Sequence, residues 1–178
     1  MFVWNMSISF QLLFIIVSGV IFLYLRDKSF KYYGLYNIFL VIYVLSRSDT
    51  IYYGFEDLLK PLFGSVDAQI FTHILNFLIP IVFYSFYSIF AFYFLDLDKN
   101  AKKYFKRTTW IIKFMAYLFF GFAALCMAMR NADLFVTLYL YIYVPVILII
   151  FVLTLVQAIK RSGEHKFFFL IGVVVFVF

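Results

Sequence analysis

The sequence predicts an all-α, polytopic transmembrane helical bundle with five complete helices, a truncated sixth and the N-terminus outside. Three observations predict it. Hydrophobic residues make up 66% of the chain and charged residues only 13%, with a mean hydropathy of +1.01. An ordinary soluble domain has roughly half its residues apolar and a quarter charged, and one core of this size cannot hide the excess. The apolar residues are gathered into runs close to the about 20 residues needed to cross a hydrocarbon layer about 30 Å thick. The basic residues between those runs fall mostly on one side. The net charge of +6 is therefore read by position, with the bilayer and not nucleic acid as the partner.

In chain order the runs are Ser7–Leu25, Phe30–Ser46, Ala68–Leu95, Thr108–Met129 and Leu134–Ile159, followed by Phe167 onward, all within one transmembrane domain over 1–178. They are too long and too uniformly apolar for the roughly 10-residue alternating strands of a barrel, and only helices or closed barrels satisfy their backbone in lipid. The start, "MFVWNMSISF", lacks the basic segment and cleavage site of a secretory signal, so the first run is expected to stay as a helix. The third run is longer than needed and carries Pro80, which predicts tilt or a kink. The final run, "FFFLIGVVVFVF", is too short for a span, which reads as the edge of a truncated bundle. Between the second and third runs, Ile51, Phe55, Leu58, Leu59 and Leu62 recur at near-helical spacing. They predict a short amphipathic segment on the outer leaflet.

Orientation follows from the loops. Arg26, Lys28, Lys31, Lys99, Lys102, Lys103, Lys106, Arg107, Lys160, Arg161 and Lys166 fall on one side. Arg47, Lys60 and Arg130 fall on the other, among Asp49, Glu56, Asp57, Asp67 and Asp133. Positive charge is retained in the cytoplasm, so the basic loops are expected inside. Lys113, within the fourth run, is read as snorkelling to the basic interface near Trp110. The aromatic share of 25% reads as genome codon bias plus lipid-facing bulk, not as a special aromatic site.

Little here carries reaction chemistry. Cys126 is the only cysteine, which excludes an intramolecular disulfide and reads as a packing residue. No phosphate loop, nucleophile elbow or HExxH occurs, and neither a cofactor nor a metal is expected. Asp96-Leu97-Asp98 superficially resembles a metal-binding DxD, with a solvated helix end as the preferred reading. His73 and His165 fall on opposite sides of the membrane and cannot share a haem. The most informative pattern is on the third run, where His73, Asn76, Pro80, Tyr84, Tyr87 and Ser88 follow spacings of three and four. A polar stripe on a membrane helix should face the bundle. Interhelical hydrogen bonding is the preferred reading, and one wall of a ligand pocket open outward through His73 is the alternative. Gly121, Ala124 and Ala128 form a small-residue stripe suited to close helix contact, and Tyr139, Tyr141, Tyr143 and Pro145 give the fifth run polar tips and a kink.

The stretch "YLRDKSFKYYGLYNIFLVIYVLSRSDTIYYGF", Tyr24 to Phe55, resembles the first cytoplasmic turn and second helix of the bacterial seven-transmembrane receptors with diverse intracellular signalling modules. Arg26, Asp27, Lys28, Ser29, Phe30, Tyr32, Tyr33, Leu35 and Tyr36 carry the likeness. "FYFLDLDKNAKKYFKR" is similar to that family's stretch after the third helix, and "KRSGEHKFFFLIG" to its approach to the sixth. The departures are Ser18, where the family often has Asn, and Glu164-His165-Lys166, where it usually has Pro-Ala-Arg.

The resemblance implies the sensor portion of a signal-transducing receptor in the bacterial inner membrane. It would relay an extracellular ligand, or the state of an N-terminal sensor domain, to a histidine kinase or diguanylate cyclase beyond this chain. It also implies a homodimer and no enzymatic activity in these residues. The alternatives are a small secondary transporter, with Pro80 and Pro145 marking broken helices, and an interfacial enzyme using Asp96 and Asp98.

Overall fold

A computed structural model describes residues 2–161. Helix α1 is Phe2–Leu25, α2 Lys28–Ser46, α3 Asp49–Phe63, α4 Ser65–Phe94, α5 Leu97–Asn100 and α6 Lys102–Ala128. The last helix, α7, runs from Ala132–Leu138 through a single π-helical turn, Tyr139–Tyr143, into Val144–Arg161. No strand occurs among the described residues. Four helices are long and apolar enough to cross a membrane: Met6–Leu25 of α1, Ser65–Phe94, Lys102–Ala128 and Ala132–Lys160. The second apolar run, read as a full span, becomes the 19-residue α2, which does not join those four because Lys28, Lys31, Asn37 and its tyrosines dilute its apolarity. The run from Phe167, together with Glu164, His165 and Lys166, lies outside the described residues.

The turns have local causes. Asp27 caps α2, its Oδ1 accepting the Ser29 N–H at 2.8 Å and the Ser29 hydroxyl at 2.9 Å. That satisfies one of the orphan donors of a helix start and gives the Arg-Asp-Lys-Ser motif its structural reason. Gly64, at φ 84°, makes the corner between α3 and α4, a conformation in which a side chain is costly. Arg26, Asp96 and Arg130 take the left-handed region at φ 55°, 51° and 51° without being glycine. At Arg130 the turn is a complete Schellman motif. The Asn131 N–H reaches the Cys126 carbonyl and the Arg130 N–H reaches that of Met127.

Helix α4 is the axis of the bundle, touching α2, α3, α6 and both parts of α7. One core gathers Ile74 and Ile81 of α4, Met115, Phe119 and Cys126 of α6, and Phe135 and Tyr143 of α7. The second lies towards the basic end, around Phe92, Leu97, Ile112, Ile150 and Ala158. Cys126 is fully buried, as a packing residue should be.

Between α2 and α4 the contact is an aromatic ladder. Ring centroids lie 5.6 Å apart for Tyr32–Tyr93, 5.0 Å for Tyr33–Phe90, 5.1 Å for Tyr36–Tyr87 and 5.3 Å for Tyr43–Phe83. Offset and edge arrangements at such distances are worth about 0.5–1.5 kcal/mol per pair beyond the area buried. This corrects the reading of the aromatic residues as lipid-facing bulk. In lipid, where apolarity alone does not drive helix association, the rings supply shape and polar tips where two helices meet.

Helix α1 rests on α2, where a Cβ at Gly34 would lie 2.9 Å from Ser18 Oγ. A second correction concerns Gly121, Ala124 and Ala128. All three are exposed on α6, and nothing lies within 4 Å of a Cβ built at Gly121. The packed side of α6 is instead Ile112, Met115, Phe119, Ala123 and Cys126.

Candidate functional site

The polar face expected on the third apolar run lies on α4, and its members do different things. Asn76 turns towards α2, where its side-chain amide sits 2.8 Å from Ser46 Oγ, itself 2.8 Å from the Tyr43 carbonyl. With one hydroxyl proton between two acceptors, the arrangement is satisfied in full when Asn76 presents its amide nitrogen to Ser46. Tyr87 also faces α2, against Tyr36. Tyr84 is 42% exposed and stands over the gap between α2 and α7. There it is within electrostatic reach of Tyr36, Tyr43, Tyr139 and Tyr143. Ser88 is satisfied on its own helix, donating to the Tyr84 carbonyl at 2.8 Å. His73 faces the other way, its ring 5.5 Å from Phe77.

Two interruptions of the helical ladder meet beside this face. Pro80 has no N–H for the Asn76 carbonyl and its ring crowds that group. In α7, Pro145 likewise deprives the Tyr141 carbonyl, and the helix responds by widening by one residue, the Val144 N–H bonding the Tyr139 carbonyl. The widened turn points Tyr139 and Tyr143 inward, their rings 5.5 Å apart, while Tyr141 is 78% exposed. The Tyr143 hydroxyl donates to the Ile81 carbonyl at 3.1 Å, one residue past Pro80, and Ser85 donates to the same oxygen. The break that Pro80 makes in the hydrogen-bond ladder of α4 and the π turn of α7 are thus joined by a buried hydrogen bond. Pro145 predicted a kink in the fifth run; the structure has a π turn just before it, and the meeting of the two breaks was not expected.

Two cavities open at the end away from the basic loops. One, of about 240 Å3, lies between α2, α3 and α4 and is apolar, with Ile42, Ile51, Phe55, Leu75 and Ile79 around the Ser46–Asn76 contact. The other, of about 360 Å3, is polar and lies between the start of α3, the first turns of α4 and the α6–α7 turn. Tyr52, Gln69, His73, Arg130, Asn131 and Asp133 line it. Arg130 closes its wall through a two-point ion pair with Asp67, Nε to Oδ1 at 2.8 Å and a terminal guanidinium nitrogen to Oδ2 at 2.9 Å. Burial, then the Glu56 carboxylate and neighbouring Tyr53, push the Tyr52 phenol up, which keeps it a proton donor at neutral pH. Of these residues, only His73 was singled out from the sequence. Asp67, in the first turn of α4, and Arg130, in the α6–α7 turn, are 63 positions apart, and their only sequence signal is opposite charge at the ends of neighbouring runs.

At the opposite end, Asp96 Oδ1 pairs with Lys99 at 2.7 Å, which holds the lysine ammonium above its ordinary range. Leu97, between the two aspartates, is fully buried. No group of three or more His, Cys, Asp or Glu converges on a metal-sized site among the described residues. Lys113 is exposed on the outward side of α6, beside the stacked pair Trp110 and Phe114.

No curated protein and no solved structure matches the chain. A family model does, over its whole length: the model described as 7TM diverse intracellular signalling covers residues 1–178. With its apolar helices and helical architecture, the chain belongs to that family, the transmembrane sensor region of signalling receptors.

Proposed function

We propose that the chain is the inner-membrane sensor core of a bacterial receptor. It relays a signal from the extracytoplasmic side to a cytoplasmic output module such as a histidine kinase or a diguanylate cyclase. The observation that carries this reading is the family match across the whole chain. The distribution of charge supports an N-terminus outside and basic loops inside. Five helices then cross, α2 among them because it lies along α4 for most of its length. The family match does not favour the transporter alternative.

Relay needs an element with two arrangements that the signal binds unequally. The joined breaks at Pro80 and Tyr139–Tyr143 are the best candidates, because π turns and proline kinks are places where a helix can change register locally. The receptor works as a homodimer in this reading, and the unpartnered side of α6 is available to the second copy. Reporter fusions test the orientation: a cytoplasmic reporter is expected silent after Asp57 and active after Lys103, and the reverse pattern overturns it. Function is tested in cells carrying the intact gene. Cysteines introduced on α4 and α7 beside the hinge are cross-linked while the downstream output is followed. Locking the hinge is expected to fix the output on or off, and an output indifferent to the lock would sink the reading.

A further inference from the structure

We infer that the polar cleft between α3, α4 and the α6–α7 turn is a binding site for a small amino-acid-like zwitterion, held by its ammonium against Asp133. The inference rests on the sensor reading for its purpose, but on the cleft itself for its chemistry.

Charge decides the class of ligand. Arg130 is neutralised by its two-point pair with Asp67, whereas the side chain of Asp133 makes no hydrogen bond or ion pair with the described residues. The unbalanced charge facing the cleft is therefore negative, which favours a cation. A lone carboxylate and a histidine do not make a metal site, and no further ligand group joins them among the described residues.

The walls from α3 and α4 offer donors, and Asn131, two residues before Asp133 on the same turn, adds another. Its Oδ1 accepts the Leu134 N–H at 3.0 Å, and its amide nitrogen makes no hydrogen bond with described residues. Gln69 and His73 make no hydrogen bond with described residues either, and the Tyr52 hydroxyl completes the set. An ammonium at one end and a carboxylate at the other satisfy both walls. The about 360 Å3 of the cleft lies within the roughly 300–1,000 Å3 range of small-molecule sites. Its polar lining selects a hydrophilic ligand. The neighbouring apolar cavity shares Tyr52 but has no charged residue in its lining.

The wall is also fixed in advance. Arg130 sits in the left-handed region, a conformation that non-glycine residues rarely adopt. The Schellman turn and the ion pair to Asp67 hold it there. A contiguous path leads from the cleft to the hinge. The His73 ring meets Phe77 at 5.5 Å, Phe77 meets Tyr139 at 5.4 Å, and Tyr139 stacks on Tyr143, whose hydroxyl reaches the Ile81 carbonyl. A ligand that repositions His73 thus presses on the π turn through packed rings.

The test uses the full chain in lipid nanodiscs, titrated with a panel of free proteinogenic amino acids and their N-acetyl counterparts. At least one free amino acid is expected to bind saturably. Its N-acetyl form, Asp133→Asn and His73→Ala should each weaken binding roughly ten- to hundredfold, the loss expected of a charge-assisted contact. Gln69→Ala, an exposed and structurally mild change, should weaken it less. The site is overturned if no amino acid binds saturably, if N-acetyl forms bind as well, or if Asp133→Asn binds like the parent. A second readout, the distance between spin labels on α4 and α7, separates this site from the receptor reading. Binding with no change in that distance keeps the site and removes the relay. A distance that responds to an outside stimulus in a chain that binds no amino acid saturably keeps the relay and removes the site.

Discussion

Helices α1 and α4 are both apolar and both long enough to cross a bilayer, yet 6% of the α1 span is buried against 44% of the α4 span. Apolarity does not separate them, since α1 has the higher mean hydropathy of the two. What separates them is polar, small and aromatic content. Helix α4 presents Asn76 to Ser46, Phe83, Tyr87, Phe90 and Tyr93 to the rings of α2, and the Ile81 carbonyl to Tyr143. Helix α1 offers Ser18, opposite Gly34, and few other grips. In lipid, the helix that becomes the axis is the one with directional contacts to give.

Four substitutions sharpen or break that contrast. The largest effect is expected at the buried centre: Phe119, fully buried against Phe135 and Tyr143. Phe119→Ala should destabilise the chain by up to about 3 kcal/mol in an unfolding titration from mixed micelles. That is at the low end of the about 3–5 kcal/mol of water-soluble cores, because lipid is as apolar as the core it replaces. Next comes Gly34→Leu. The Cβ alone would sit 2.9 Å from Ser18 Oγ, so overpacking should cost about 1–3 kcal/mol. Cross-linking between cysteines on α1 and α2 should fall while α4–α7 cross-links persist.

Tyr143→Phe removes the buried bond to Ile81 and should cost about 0.5–1.5 kcal/mol. Faster amide exchange confined to the turns around Pro80 and Tyr139–Tyr143 is the signature to look for, and uniform exchange along α4 would argue against a shared hinge. The smallest change is Leu23→Ala on the open side of α1, where Leu23 is 74% exposed. Its effect should lie within about 0.5 kcal/mol. A loss as large as that of Phe119→Ala would mean that α1 is covered by a partner.

Much of this arrangement was legible in the sequence because it depends on short-range pattern. The apolar runs became α1, α4, α6 and α7, and the near-helical spacing from Ile51 to Leu62 became α3, which buries Leu59 and leaves Leu58 and Leu62 exposed. The polar stripe was readable as a stripe, but a helical wheel has no partner helix drawn on it. It could not tell that Asn76 would meet Ser46, or that His73 would turn to the opposite side. The small-residue stripe on α6 failed for the same reason, since Gly121, Ala124 and Ala128 share a face that no helix of the described chain fills. The cleft was the least legible. It is made by an ion pair between Asp67 and Arg130 and by a non-glycine left-handed turn, neither of which leaves a periodic trace.

The cap at Asp27 has a consequence for how the chain is made. The turn between α1 and α2 is closed by Asp27 on Ser29, two residues away, and the main support of α1 is the helix that follows it immediately. Nothing after Ser46 is needed to complete that hairpin. Synthesis runs from the N-terminus, so α1 and α2 can form as a finished pair while α4 is still being translated. The later helices then assemble onto the exposed rings of α2.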